Sequence, residues 1–362
     1  MAAKSGAEAQ EDPGRSGREQ AAEQRLHQLR AEVNRRREQR DPGALAQCLE
    51  DYASAALGLA AIRSAAEALA EAADLWRSLG QSDRAGSALL LATSSHRLAG
   101  SMPAAAALVR QGLAADFPAA LHQGFEMEAA EQCLARGEAQ EARRRFSRLI
   151  EQAAPPWPAR TRAQVFERRA AAAHADGDGR AAAADLLHAS QLYSRAGLSE
   201  DGEAAALAAA ALLAGVDPSL ADQVVQEVMA SPPAHGAVAA RRGLVGGHVA
   251  ASRGNWKEAL ARLDQARQGA LDCRDPVTYL LASVQASEAA EKDNDLETAY
   301  GRLATAWSTL SDLLGRDMAA EQVRPCLQAL RLRWGQETFQ AAKTKYEATR
   351  RRELLDGQAV EG

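Results

Sequence analysis

Aromatic side chains make up only 4% of this 362-residue chain. Its four cysteines, Cys48, Cys133, Cys273 and Cys326, form no CxxC pair. So widely spaced, they read as reduced thiols and not as a disulfide framework or zinc knuckle. No apolar run reaches the ~18 residues that a membrane span needs. The most apolar stretch, residues 205–213, is shorter and is soon followed by Gly215 and Pro218. No segment alternates β-branched and polar residues as a half-buried strand does. A formal net charge of −5 offers no bulk attraction to nucleic acid, which selects basic surfaces. The N-terminal MAAKSGAEAQEDPGRSG has no apolar signal core. These absences point to a cytoplasmic protein with no membrane insertion and no nucleic-acid partner.

What the chain does have is alanine. Apolar residues are 46% of it, mostly Ala with Leu and Val, and Ala is the strongest helix former. The bias toward Ala, Arg and Gly fits a GC-rich bacterial genome. The organising stretch is SRGNWKEALARLDQARQG, residues 252–269. One helix stops at Gly254, Asn255 and Trp256 turn the chain, and a second helix begins at Lys257. Counting from Gly254, offsets of five, nine and twelve give Ala259, Leu263 and Ala266, one stripe of a helix. The same count gives Ala142, Phe146 and Leu149 from Gly137, and Ala182, Leu186 and Ala189 from Gly177. It gives Ala299, Leu303 and Ala306 from Asn294, and Ala105, Val109 and Gly112 from Gly100. Poorer copies start at Ala61, Gly215 and Gly335. The anchors recur every 37 to 41 residues, the signature of a solenoid of helical hairpins.

The run Gly254-Asn255-Trp256-Lys257-Glu258-Ala259, with Leu263 and Ala266 after it, resembles the second half of a tetratricopeptide repeat (TPR). The resemblance covers residues 44–352. The period is longer than the usual 34 residues, and Ala-rich sequence replaces the Trp-x-x-Leu-Gly signature of the first helix. The expected fold is therefore all-α, a right-handed superhelix of about eight antiparallel hairpins. Residues 1–17 are expected to be a disordered tail and residues 18–40 a charged amphipathic helix with Leu26, Leu29 and Val33 as its apolar stripe. The repeat domain spans 41–355, and 356–362 form a C-terminal tail. Proline-rich breaks fall at 154–158 and 231–233.

No constellation for catalysis emerges, so the chain reads as a non-enzyme without cofactor. The seven histidines show no HExxH or CxxC…HxxxH spacing, and no metal site is expected. Asp176-Gly177-Asp178-Gly179 opens like a calcium loop, but Arg180 and Leu187 stand where its later acidic ligands belong; it reads as a turn. Gly243, Gly246 and Gly247 have no Lys-Ser/Thr after them, so they read as contact points between helices of repeats five and six. The Arg triplets at 35–37, 143–145 and 350–352 are interleaved with Glu and read as solvated helix faces.

In the TPR family the first helix of each repeat lines an inner groove. Carried back from each anchor, the family's contact positions fall on Leu90, Ser94 and Arg97 in repeat two, and on Met127 and Glu131 in repeat three. They fall on Glu167 and His174 in repeat four, on Arg241, Leu244 and His248 in repeat six, and on Leu281, Val284, Glu288 and Glu291 in repeat seven. The Lys and Asn that let chaperone-binding members hold a C-terminal carboxylate are missing here. The resemblance thus implies a protein-binding scaffold or adaptor that takes a protein or peptide partner. The acidic Glu131, Glu167, Glu288 and Glu291 beside Met127, Leu244 and Val284 suit a partner of mixed apolar and basic character. A sensory module that binds a small ligand or signalling peptide in the same groove is the alternative.

Overall fold

The computed structural model describes residues 13–152, 157–231 and 235–360. The chain divides into two compact units between Trp157 and Pro158, at the proline-rich break read from the sequence. The N-terminal unit holds α1 (Pro13–Gln39), α2 (Pro42–Gly58), α3 (Ile62–Ser78), α4 (Ser82–Leu98), α5 (Met102–Ala114), α6 (Ala119–Ala135) and α7 (Ala139–Gln152). The C-terminal unit opens with α8 (Ala159–Ala175), α9 (Gly179–Arg195), α10 (Ser199–Leu213), α11 (Pro218–Met229) and α12 (Gly236–Ser252). It continues through α13 (Trp256–Asp272), α14 (Pro276–Lys292), α15 (Leu296–Leu314), α16 (Arg316–Trp334) and α17 (Gln336–Val360). Every element among the described residues is a helix. Each unit is an all-α array in which every helix packs on its sequence neighbours, and alternate helices such as α4 and α6, or α10, α12 and α14, also touch.

The repeating unit is smaller than a hairpin. Among the described residues nine helices are 17 residues long, and most are joined by three-residue turns. The middle residue of each such turn is left-handed: Ala60, Gly80 and Gly100, then Gly137, Gly177 and Gly197, then Gly254, Arg274 and Asn294. The N–H of the residue after it reaches back to the last turn of the helix, as Gln81 does to the Trp76 carbonyl and Asn255 to that of Ala250, both at 2.9 Å. This is the Schellman stop, which satisfies carbonyls that the helix end would leave bare. Helix plus turn is 20 residues, so two make the 40-residue period. The same count therefore works from mid-period turns: Gly80 gives Ala85, Leu89 and Ala92, all buried.

Three expected registers move. The first turn is centred on Ala60 (φ 56°), not Ala61, and counting from it gives Ala65, Leu69 and Ala72, all buried. Gly215 is not left-handed. The α10–α11 connection is one residue longer, with Asp217 capping the Leu220 N–H at 3.1 Å, so the shifted count lands on Ala221, Val225 and Val228, which are buried along with Val224. Gly335 is left-handed (φ 79°) but stands alone between α16 and α17. That shorter junction shifts the frame, and buried Ala342 is reached two residues late. Helix boundaries move as well. α1 begins at Pro13 and α17 runs to Val360, inside the expected tails; residues 1–12 and 361–362 lie outside the described residues.

Small residues set how close helices come. A Cβ on Gly243 would sit 2.5 Å from the Ala266 nitrogen and 2.6 Å from the Arg262 oxygen. A Cβ on Gly247 would meet the Leu263 side chain at 2.5 Å. Both glycines therefore bring α12 against α13 within repeat six, and only Gly246 faces repeat five, through Met229 and Val225. Bulk fills the gaps between the small residues, as at Leu89, Leu263, Leu303, Phe125 and Phe146, all deeply buried. Each such leucine contributes about 1.5–3 kcal/mol on burial.

Candidate functional site

The inner positions carried over from the TPR resemblance lie on α4 and α6 in the N-terminal unit and on α8, α12 and α14 in the C-terminal unit. On α12 and α14 they align 40 residues apart. Arg241 and Leu281 are exposed, Leu244 and Val284 are half-buried, and His248 and Glu288 are exposed. Because the two helices touch and share one frame, these pairs form three rows from helix to helix. His174 is exposed at the end of α8. Met127 and Glu131 are half-buried on α6.

Five other candidates fasten the array together. The Leu90 tip lies opposite Gly124, where a Cβ would come within 2.5 Å of it, so Leu90 fills the gap between α4 and α6. The Ser94 hydroxyl donates to Glu128 at 2.7 Å, and Arg97 donates to both oxygens of Glu128 at 2.9 and 3.2 Å. Glu128 is buried and was invisible to the inner-position count, which lands one residue earlier on Met127. Glu167 accepts the Tyr193 hydroxyl at 2.7 Å; burial first, and then this carboxylate, raise the Tyr193 phenol. Glu291 accepts from Arg333 at 2.7 Å and from the Trp334 indole at 2.7 Å. The Arg333 bond holds the Glu291 carboxyl below its ordinary range against the opposing effect of burial. The expected acidic row of Glu131, Glu167, Glu288 and Glu291 is thus broken up, since Glu167 and Glu291 already have cationic or hydroxyl partners.

The count missed exposed apolar residues on the first helices. Leu91 and Leu98 on α4, Leu57 on α2 and Val277 on α14 face solvent. One sequence signal marks α4. Leu89, Leu90 and Leu91 are consecutive, and at ~100° per residue three neighbours cannot share one buried stripe.

Two open clefts accompany these faces. One of about 740 Å³ in the C-terminal unit is lined by Leu187, Leu220, Val224, Glu203 and Arg242 among others. Another of about 500 Å³ in the N-terminal unit lies between α6 and α7, beside His122 and Arg145. Among the described residues no three of His, Cys, Asp and Glu gather as a metal site would require, and no helix is long and apolar enough to cross a membrane.

No family model matches the chain, and no curated protein matches it. Among solved structures, the TPR domain of P58(IPK) aligns with 91% of this chain and 99% of that one, at 14% identity and a TM-score of 0.26. The repeat fold rests on the helices and turns of the chain itself.

Proposed function

We propose that the chain is a non-enzymatic scaffold that holds partner polypeptides on the faces of its first helices. The observation that carries this reading is the register of α12 and α14. Arg241 and Leu281, Leu244 and Val284, His248 and Glu288 repeat the same exposure at a 40-residue spacing, which is how a solenoid builds an extended contact surface. Met127 and Glu131 extend the candidate set on α6, and His174 does so on α8. In this reading Leu90, Ser94, Arg97, Glu167 and Glu291 shape the surface from behind. Apolar positions supply affinity and charged ones set register and association rate.

The test is capture of partners by the full chain, followed by reconstitution with each purified candidate. A partner whose affinity falls at least about tenfold when Arg241, Leu281 and Glu288 or the α4 leucines are replaced supports the reading. Partners indifferent to every such replacement remove it. The sensor reading has one observation in its favour, the cleft of about 740 Å³. It predicts a rise in melting temperature with a small molecule that is lost when Leu220 or Val224 is replaced by Asp.

A further inference from the structure

The N-terminal unit separates charge by layer. Its first helices α2, α4 and α6 carry Glu50, Asp51, Asp83, Glu126, Glu128 and Glu131 against only two cations, Arg84 and Arg97. Its second helices α3, α5 and α7 carry seven arginines against five carboxylates. Both cations of the first layer are consumed inside it. Arg84 on α4 bonds Glu50 on α2 at 3.0 Å and also Gln47, while Arg97 bonds Glu128 on α6. These ties place α2, α4 and α6 side by side. Glu126 pairs with Arg145 on α7 at 3.1 Å. Asp51 and Asp83 are exposed, and Glu131 is half-buried beside Met127.

The same layer exposes its apolar residues. Leu57, Leu91 and Leu98 are 40%, 53% and 63% exposed. Leu91 and Leu98 stand seven residues apart on one side of α4, two turns or about 10.5 Å along its axis. Ser87 and Ser94 lie on that side too. Counted from the helix starts, Asp51 on α2 occupies the position that Leu91 occupies on α4. The surface is therefore a leucine stripe bordered by acid.

We propose that the α2–α4–α6 face docks a cationic amphipathic helix of a partner protein. A helix offers apolar residues at i, i+3, i+4 and i+7, the spacing that Leu91 and Leu98 present. Lys or Arg on its flanks meets the exposed Asp51 and Asp83. Strand addition is unavailable to a face made of helices alone. The proposal rests on the scaffold reading and narrows it to one face and one chemistry.

The experiment uses the full chain and three synthetic peptides of about 18 residues. One arranges Leu and Lys as an amphipathic helix, one scrambles the order, and one replaces Lys by Glu. The amphipathic Lys peptide is expected to bind saturably at one per chain, at least about tenfold more tightly than the other two. The pair Leu91→Ser and Leu98→Ser is expected to weaken it about tenfold. Asp51→Asn with Asp83→Asn is expected to weaken it and flatten its salt dependence. Leu332→Ser, at a residue 85% exposed in the other unit, serves as the control and leaves binding unchanged. All these side chains are exposed, so folding is expected to survive, and circular dichroism checks it. Equal binding of all three peptides, or an equal loss with Leu332→Ser, overturns the proposal. So does sedimentation showing a peptide-free dimer that Leu91→Ser with Leu98→Ser makes monomeric, for the face then takes a second copy of this chain. A purified natural partner that binds through the C-terminal unit alone, unaffected by the α4 variants, removes the proposal and leaves the scaffold reading standing.

Discussion

The two units share one helix-and-turn frame and distribute charge over it in opposite ways. In the N-terminal unit the sign of charge changes between layers: α2, α4 and α6 are together acidic, and α3, α5 and α7 together basic. In the C-terminal unit it changes from one first helix to the next: α8 is net basic, α10 acidic, α12 basic, α14 acidic and α16 basic. Alternation along a row brings opposite charges onto touching helices, and ion pairs follow. Arg242 on α12 bonds both oxygens of Glu203 on α10, at 2.7 and 2.6 Å, and Arg333 on α16 bonds Glu291 on α14. Charge that alternates between neighbours is used up in holding the array. Of the acid gathered in the first layer of the N-terminal unit, Glu126 is met by Arg145 on α7 at 3.1 Å, while Asp51 and Asp83 stay exposed. This is why the N-terminal unit carries the docking proposal, although its helices are no longer or more regular.

Helix approach differs in the same direction. In the C-terminal unit α12 and α13 meet backbone to backbone at Gly243. In the N-terminal unit α4 and α6 meet through the Leu90 tip over Gly124. A backbone cannot step aside, but a leucine can rotate. Gly243→Ala is therefore expected to cost about 3 kcal/mol, and Gly124→Ala less than about 1 kcal/mol, with Leu90 shifting rotamer. Ala259→Leu, at a fully buried crossing, belongs with the first, at about 1–3 kcal/mol. Two compact units need not unfold together, so the readout is hydrogen exchange resolved by helix and not one melting temperature. Equal losses in the two units would erase the contrast.

The next largest effect concerns the paired arginines. Arg242→Met leaves the Glu203 carboxylate in a poorly solvated site with its two charged bonds gone; the expected cost is about 2–3 kcal/mol. Arg97→Met leaves Glu128 with the Ser94 hydroxyl still in place, and the expected cost is about 1–2 kcal/mol. Urea titration followed by exchange in α12 and in α4 measures both. A larger loss at α4 would mean that the layered unit depends on its ion pairs as much as the alternating one.

The fold was legible because the frame is written in small residues. Ala259, Leu263 and Ala266 fix a register that recurs wherever a left-handed residue precedes it by the same count, and glycine marks most of those turns. It failed at Ala60, where neither glycine nor asparagine marks the turn, and where the turn changed length. Ala60 carries the left-handed turn that a reader assigns to its neighbour Ala61, and the longer connection before Asp217 moves α11 by one residue. The surface was less legible for a different reason. Inner positions can be counted along one helix, but the partner of each lies on another helix. Nothing in the local sequence of Glu291 announces Arg333 and Trp334, and nothing near Ser94 announces Glu128. Leu91 was readable in principle, since three consecutive leucines exceed one helical stripe.

Acid sharpens the comparison further. The Glu291 carboxyl is held below its ordinary range, first by the Arg333 hydrogen bond. A depressed carboxylate contributes stability that is fully present above the ordinary carboxylate pKa. That contribution is lost as pH falls through the depressed value. Exchange in α16 is therefore expected to quicken below the usual carboxylate range, and Glu291→Gln is expected to abolish that acid step. A step that persists in Glu291→Gln would place the titrating group elsewhere.

The smallest effect tests the frame itself, which the comparison assumes to be common to both units. Ala60 (φ 56°) turns the chain in the N-terminal unit and Arg274 (φ 53°) in the C-terminal unit, both left-handed without being glycine. A Cβ in that conformation crowds the following carbonyl and costs about 1–2 kcal/mol. Glycine relieves the strain and gives back part of the gain by loosening the unfolded chain. Ala60→Gly and Arg274→Gly are each expected to stabilise their own unit by about 0.5–1 kcal/mol. The reverse change, Gly80→Ala, where the turn has φ 72°, is expected to destabilise by a similar amount. Helix-resolved exchange reads all three. If the two glycine substitutions gave gains of different sign, the turns would not be equivalent, and the contrast between the units would lie in their backbones as well as in the charge placed upon them.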